Sequence, residues 1–425
     1  MVAARLALQT SRLAEAEAHF ETAIALQPTN RTFQLNLAVI RLSSTNAAIA
    51  AAARATLDQF RKDPELGPPA LRSLVAERLM QHDTAGALVY SQQLLASLDA
   101  TLDDRLQNLG LLGQLKSDEL NIRLQAVEQE AATNALAVAE VSGWMQANGL
   151  VAESLDWLTG LPIPMLDQRP VQMALAQGYL QSGNWRALRD IASQGNWGDL
   201  EYLRFVMNFR AMSELGLMGE AASNWNAAMA NASSRREALM QLLQLMESWQ
   251  LEAEREDLLL HIVQQYPKEQ WAQKELEFLD FKSGNTLGLH QMYAVLSDQF
   301  PTNTEFKNNL AATALLLKID VPMARQRAAE TYAGKPGDPF VASTYAFALH
   351  LQGRDKQGLA VFEKLKPADL AQPSVALYYG VLLAATGKLE EARPWLQIAQ
   401  TKGHFLPEEQ ALLSAALGGV KDSPP

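Results

Sequence analysis

The feature that most constrains this chain is a turn signal that recurs at nearly constant spacing along its length. Residues suited to the inner turn of a helical hairpin stand at Ser11, Thr45, His82, Lys116, Gly149, Gly183, Gly216, Trp249, Gly284, Lys318, Gly353 and Gly387. Their mean separation is about 34 residues. The step from Thr45 to His82 is the longest, and its extra residues fall at Glu65–Pro69 (ELGPP). A left-handed residue commonly ends the first helix of such a hairpin, and glycine takes that conformation without Cβ strain. Gly387 shows the pattern most clearly. Before it, Ala376, Tyr379, Gly380 and Leu383 recur at helical spacing; after it come Leu389, Ala392, Leu396 and Ala399. A hairpin this short cannot bury its apolar faces alone, so each copy requires its neighbours.

The same positions carry the same kinds of residue in copy after copy. Seven residues before the turn, small side chains let the first helix approach its partner: Ala4, Ala38, Ser142, Ala176, Ala311, Ala346 and Gly380. Five residues after it stand Ala16, Ala50, Ala87, Ser154, Ala221, Gly358 and Ala392. Nine after it comes a larger apolar knob at Phe20, Leu158, Trp225, Tyr293, Phe362 and Leu396. Leu109, Phe209, Leu242 and Glu277 depart from the first pattern, and Asn121, Leu188, Glu254, Leu289 and Met323 from the second. Irregular packing is therefore expected around Lys116 and Trp249–Gly284. Pro394 is expected to bend its helix or displace its start. Thr302 with Glu305 fits a capping box, and Asp338 before Pro339 fits an N-cap.

Composition agrees with an all-helical chain. Ala, Leu, Gln and Glu are abundant and β-branched runs scarce. The hydrophobic fraction of 48% argues against wholesale disorder. The formal net charge of −11 gives no electrostatic reason to bind nucleic acid or anionic membranes. The absence of cysteine removes disulfides, Cys-ligated zinc and a thiol nucleophile together. It suits the cytosol and the periplasm equally, so the compartment stays open. No run of about 18 apolar residues suggests a membrane span. The N-terminus (MVAARLALQTSRLAEAE) lacks the form of a signal peptide and reads as the later part of a first helix.

This repeating pattern resembles the tetratricopeptide repeat (TPR) family over essentially the whole chain. The resemblance implies an all-α solenoid, a right-handed superhelix of about eleven to twelve hairpins. The expected divisions are a partial first repeat at 1–30, repeats at 31–165 and 166–400, a capping helix at 401–417 and a disordered tail at 418–425. Leu161–Pro170, with three prolines, is either a joint between two sub-arrays or a long inter-repeat loop. In the family the first helix of each repeat lines a concave groove. Carried onto this chain, the groove positions are Phe340, Ser343, Phe347 and His350, then Ser374, Leu377 and Val381. Two earlier repeats offer Met173 with Gln177, and Val206 with Arg210. The C-terminal part of that groove would be apolar and suited to a partner helix or extended peptide. Alternatively the superhelix, or a neighbouring helix, covers it. Asn308 occupies one position of the family's carboxylate clamp, but its partners are missing.

No chemistry emerges from the sequence. The six histidines are scattered, none pair at i, i+4, and no metal or cofactor is expected. Gly387-Lys388 lacks the glycine and the Ser/Thr of a phosphate loop, with Leu382 and Leu389 at those places. Carboxylate pairs such as Glu390-Glu391 and Glu256-Asp257 read as solvated groups or helix-start residues. Trp185 and Trp225 read as packing residues. The leading expectation is a non-catalytic scaffold or adaptor that binds a protein segment. Two others remain: a docking or regulatory part of a longer polypeptide with an N-terminal anchor or enzyme domain, and an enzyme on a solenoid scaffold.

Overall fold

The structure, a computed structural model, describes residues 3, 6, 7, 12–233 and 235–421. Within them every regular element is helical. Ser11, Ala4 and the last residues of the expected tail, 422–425, lie outside the described residues.

Helix α1 (Leu13–Leu26) comes first. Hairpins α2/α3 (Arg31–Arg41, Ala47–Phe60), α4/α5 (Gly67–Met80, Thr84–Leu95), α6/α7 (Leu102–Gln114, Glu119–Ala131) and α8/α9 (Ala135–Ala147, Val151–Thr159) follow. The single turn α10 (Ile163–Leu166) precedes α11/α12 (Arg169–Ser182, Trp185–Ala192) and α13/α14 (Glu201–Glu214, Met218–Ala232). Then come α15/α16 (Arg236–Ser248, Glu252–Gln265), α17/α18 (Gln270–Ser283, Thr286–Gln299) and α19/α20 (Thr304–Leu317, Val321–Gly334). The last pairs are α21/α22 (Pro339–His350, Asp355–Phe362) and, after the short α23 (Pro367–Leu370), α24/α25 (Pro373–Ala385, Leu389–Lys402). Helix α26 (Pro407–Lys421) closes the series.

The turns stand where the spacing placed them. His82, Lys116, Gly149, Gly183, Gly216, Gly284, Lys318, Gly353 and Gly387 are all left-handed, with φ between +52° and +82°. Side chains at three of these sites accept a strained backbone, worth roughly 1–2 kcal/mol each. Trp249 is a correction: the left-handed residue is Gln250, at φ +57°. The turn at Thr45 has no such residue, and its second helix is capped instead by Asn46, whose side chain accepts from the Ala48 and Ile49 amides.

The chain forms two compact units, Met1–Trp225 and Asn226–Pro425. In the first, guanidinium–carboxylate pairs Arg54–Glu77 and Arg72–Asp104 tie successive hairpins, with both carboxylates buried. The small residues Ser142 and Ser154 bring α8 and α9 close enough for their hydroxyls to bond at 2.8 Å, and the Gln146 amide donates to both and to Ala174 O. Leu161–Pro170 does not part this unit. Pro164 and Pro170 lie in the first turns of α10 and α11, where a missing N–H costs nothing. Leu158, Leu161, Val171 and Leu175 form one continuous core across the segment. Glu65–Pro69 likewise becomes a helix start, with the Asp63 side chain accepting from the Glu65 and Leu66 amides.

In the second unit the first helices α19, α21 and α24 pack in succession, and α26 packs on α24, α25 and α19. Gly380 lets α24 lie close against α25: a Cβ there would stand 2.8 Å from Leu396 Cδ2. Helix α25 runs on through Pro394. Two expectations are corrected in detail and one is met. Asn303, not Thr302, caps α19, accepting from the Glu305 and Phe306 amides. Asp338 does cap α21, accepting from Phe340 and Val341. The capping helix continues past Leu417 to Lys421, so the expected tail at 418–425 begins as helix.

Candidate binding surface

Most of the apolar groove expected at the C-terminal end is core. Phe347, Leu377, Val381 and Ser343 are buried, with Leu377 fully so. The Phe347 ring lies against Tyr378 at 5.2 Å and stacks on His350 at 6.2 Å. Ser343 spends its hydroxyl on Pro339 O at 2.8 Å. His350 Nδ1 meets Asp355 Oδ1 at 2.6 Å across the α21/α22 turn. Only Phe340, 51% exposed, keeps the accessibility a groove residue needs.

Helix α26 shows how this surface closes. Leu406 and Leu413 are buried beneath it. Tyr378 Oη donates to Glu409 Oε1 at 2.8 Å, Leu406 N donates to Glu409 Oε2 at 3.1 Å, and Thr286 Oγ1 donates to Glu408. Burial pushes the Glu409 carboxyl above the usual carboxylate range. Burial, and then the nearby Glu409 charge, push the Tyr378 phenol well above its ordinary value. Pro407 abuts the turn at Gly284, where a Cβ would lie 3.0 Å from its Cγ. One apolar helix face is therefore covered by another, which is how a soluble chain disposes of such surface.

The earlier candidates share no common site. Met173 and Gln177 are half-buried on α11. Val206 on α13 is fully buried and belongs to the core. Arg210, one turn on, pairs with Glu214 at 2.8 Å and places its guanidinium 5.7 Å from the Trp185 ring. Trp225 is buried with its ring 5.5 Å from Phe209. Both tryptophans thus serve packing.

The surface that sequence reasoning missed is on α17. Trp271, Lys274, Phe278 and Phe281 fall within one narrow arc of that helix, and all four are exposed. Trp271 is 36%, Phe278 62% and Phe281 42% exposed, while Ala272, Leu276 and Leu279 on the opposite face are buried. Relative to Gly284 these four occupy the places that Phe340, Ser343, Phe347 and His350 occupy relative to Gly353. The signal was therefore present, but Glu277 stands beside it where other copies have a small residue. That carboxylate accepts from Tyr293 Oη at 2.7 Å, binding α17 to α18. The indole N–H of Trp271 donates to Glu269 at 2.7 Å.

Among the described residues, no group of three or more His, Asp or Glu is placed to hold a metal ion, and no helix is long and apolar enough to cross a membrane. No family model matches the chain, and no curated protein matches it. Solved structures do. A tetratricopeptide repeat protein from Parabacteroides merdae is 12% identical over 59% of this chain and 98% of its own, with a TM-score of 0.31. Yeast Tom70 is 11% identical over 98% of this chain and 94% of its own, at 0.28. The APC/C hetero-tetramer Cut9-Hcn1 is 14% identical over 99% of this chain and 74% of the matched chain, at 0.35. The repeat is TPR-like. That statement stands on the hairpins and their left-handed turns, to which such distant likenesses add nothing.

Proposed function

We propose that this protein is a non-catalytic interaction scaffold that receives a protein segment on the exposed face of α17. One observation carries the reading: Trp271, Phe278 and Phe281 present three aromatic rings to solvent on one helix face, and at the place of Phe278 the α21 copy buries Phe347. Large aromatic side chains of this kind dominate binding energy when a partner desolvates them. The TPR-like architecture supports the reading, since a solenoid can offer its first helices to a partner without a catalytic centre. The apolar C-terminal groove is not the docking site in this proposal, because Phe347, Leu377 and Val381 are buried.

The test places a photo-crosslinking residue at Lys274 and compares the proteins it captures with those captured by the same chain carrying Phe278→Asp and Phe281→Asp. Both rings are exposed, so folding is expected to survive. Loss of specific adducts in the double variant supports the reading. An unchanged set of adducts overturns it.

A further inference from the structure

A cavity of about 180 Å³ lies between α16, α17 and α18. Glu256, Asp257 and Asp280 line it, together with Leu260, Leu276 and Gly288, and no lysine, arginine or histidine does. Asn285 Nδ2 donates to Asp280 Oδ1 at 2.8 Å and to Glu256 Oε2 at 3.2 Å, and Ser283 Oγ donates to Glu256 Oε1 at 3.3 Å. Asp280 is fully buried, and its Oδ2 has no hydrogen-bond partner. A buried acceptor left this way destabilises the fold, and more so when it is charged. Burial, and then the charge of Glu256, push the Asp280 carboxyl up to about 7. Gly288 lets Asp280 and Asn285 pack directly against its Cα: a Cβ there would stand 2.4 Å from Asp280 Oδ1 and from Asn285 Nδ2.

We propose that this cavity binds a primary alkylammonium group, with Asp280 Oδ2 and the Glu256 carboxylate as acceptors and Leu260 and Leu276 around the alkyl stem. The carboxylates do not converge as metal ligands would. An ammonium suits them better, because its three N–H donors diverge and each forms a charge-assisted bond. The volume admits a short unbranched chain. Two sources share this chemistry, a free alkylamine and the lysine side chain of a bound segment.

Calorimetric titration of the full chain tests the proposal with n-butylammonium, with tetramethylammonium (which has no N–H donor), and with blocked peptides carrying one lysine or norleucine. Butylammonium is expected to bind and tetramethylammonium to fail. Asp280→Asn is expected to weaken butylammonium binding about tenfold or more, the loss of one charge-assisted bond. Glu256→Gln, at the half-exposed side of the cavity, serves if Asp280→Asn does not fold. Lysine-peptide binding without norleucine-peptide binding assigns the site to a lysine side chain, and butylammonium alone assigns it to a free amine. No butylammonium binding, equal binding of tetramethylammonium, or unchanged affinity in both variants overturns the proposal.

Discussion

Phe347→Ala separates a core from a groove at the place where the two readings of this chain diverge most. The Phe347 side chain is only 3% exposed and lies 5.2 Å from Tyr378. A phenylalanine buries on the order of 150 Å² of apolar surface, which at about 25 cal/mol per Å² comes to about 4 kcal/mol. The measured range for burial-site Phe→Ala changes is about 3–5 kcal/mol, so about 4 kcal/mol is the expected loss. In a repeat array this loss stays near the altered hairpin, so a single global midpoint would blur it. Hydrogen exchange read by mass spectrometry is the better assay. Amides of α21, α24 and α26 are expected to lose protection about a thousandfold, while those of α15 and α16 keep theirs. Phe278→Ala supplies the control, being the same residue type at the same place in its repeat but exposed; its cost is expected within about 0.5 kcal/mol. A Phe347→Ala loss below about 1 kcal/mol, with protection unchanged in α26, would refute the core assignment.

Other expectations follow from single features. Gly387→Val is expected to cost about 1 kcal/mol or more, because a β-branched residue must then hold φ near +82° although nothing crowds the site; thermal unfolding reads it. Lys318→Gly, at φ +58°, is expected to stabilise its hairpin by about 1 kcal/mol, and a lower denaturation midpoint would contradict the turn. Glu409 has a raised folded-state value, so its contribution is present below its ordinary value and lost as pH rises through the folded one. Protection of α26 is therefore expected to fall as pH rises from about 4.5, and Glu409→Gln to flatten that slope. Asp280 acts in the same direction between 3.8 and about 7, where the second unit is expected to lose at most about 4 kcal/mol and the Asp280→Asn variant much less. Equal slopes for wild type and variant in denaturant titrations would count against a buried carboxyl there.

What the amino-acid sequence determined by itself is the repeat. Local signals suffice for it: a left-handed turn residue, small residues at fixed distances either side, and helix-start residues such as Asp338. Even the non-glycine turns at His82, Lys116 and Lys318 were legible from the period, and the miss at Trp249 was one residue wide. Which residues share one face of each helix was legible too, since 3.6 residues per turn decide it. Whether that face meets solvent was not. Phe278 and Phe347 hold the same position in their repeats, yet one is exposed and the other buried. The difference comes from what packs on it: α19, α21 and α24 pack in succession, Phe347 meets Tyr378 of α24, and α26 folds back onto α24 and α19. The bond from Asn285 to Glu256, 29 residues away on α16, is a product of the same kind. Burial of a helix face is set by elements remote in the chain, and only the tertiary structure brings those together.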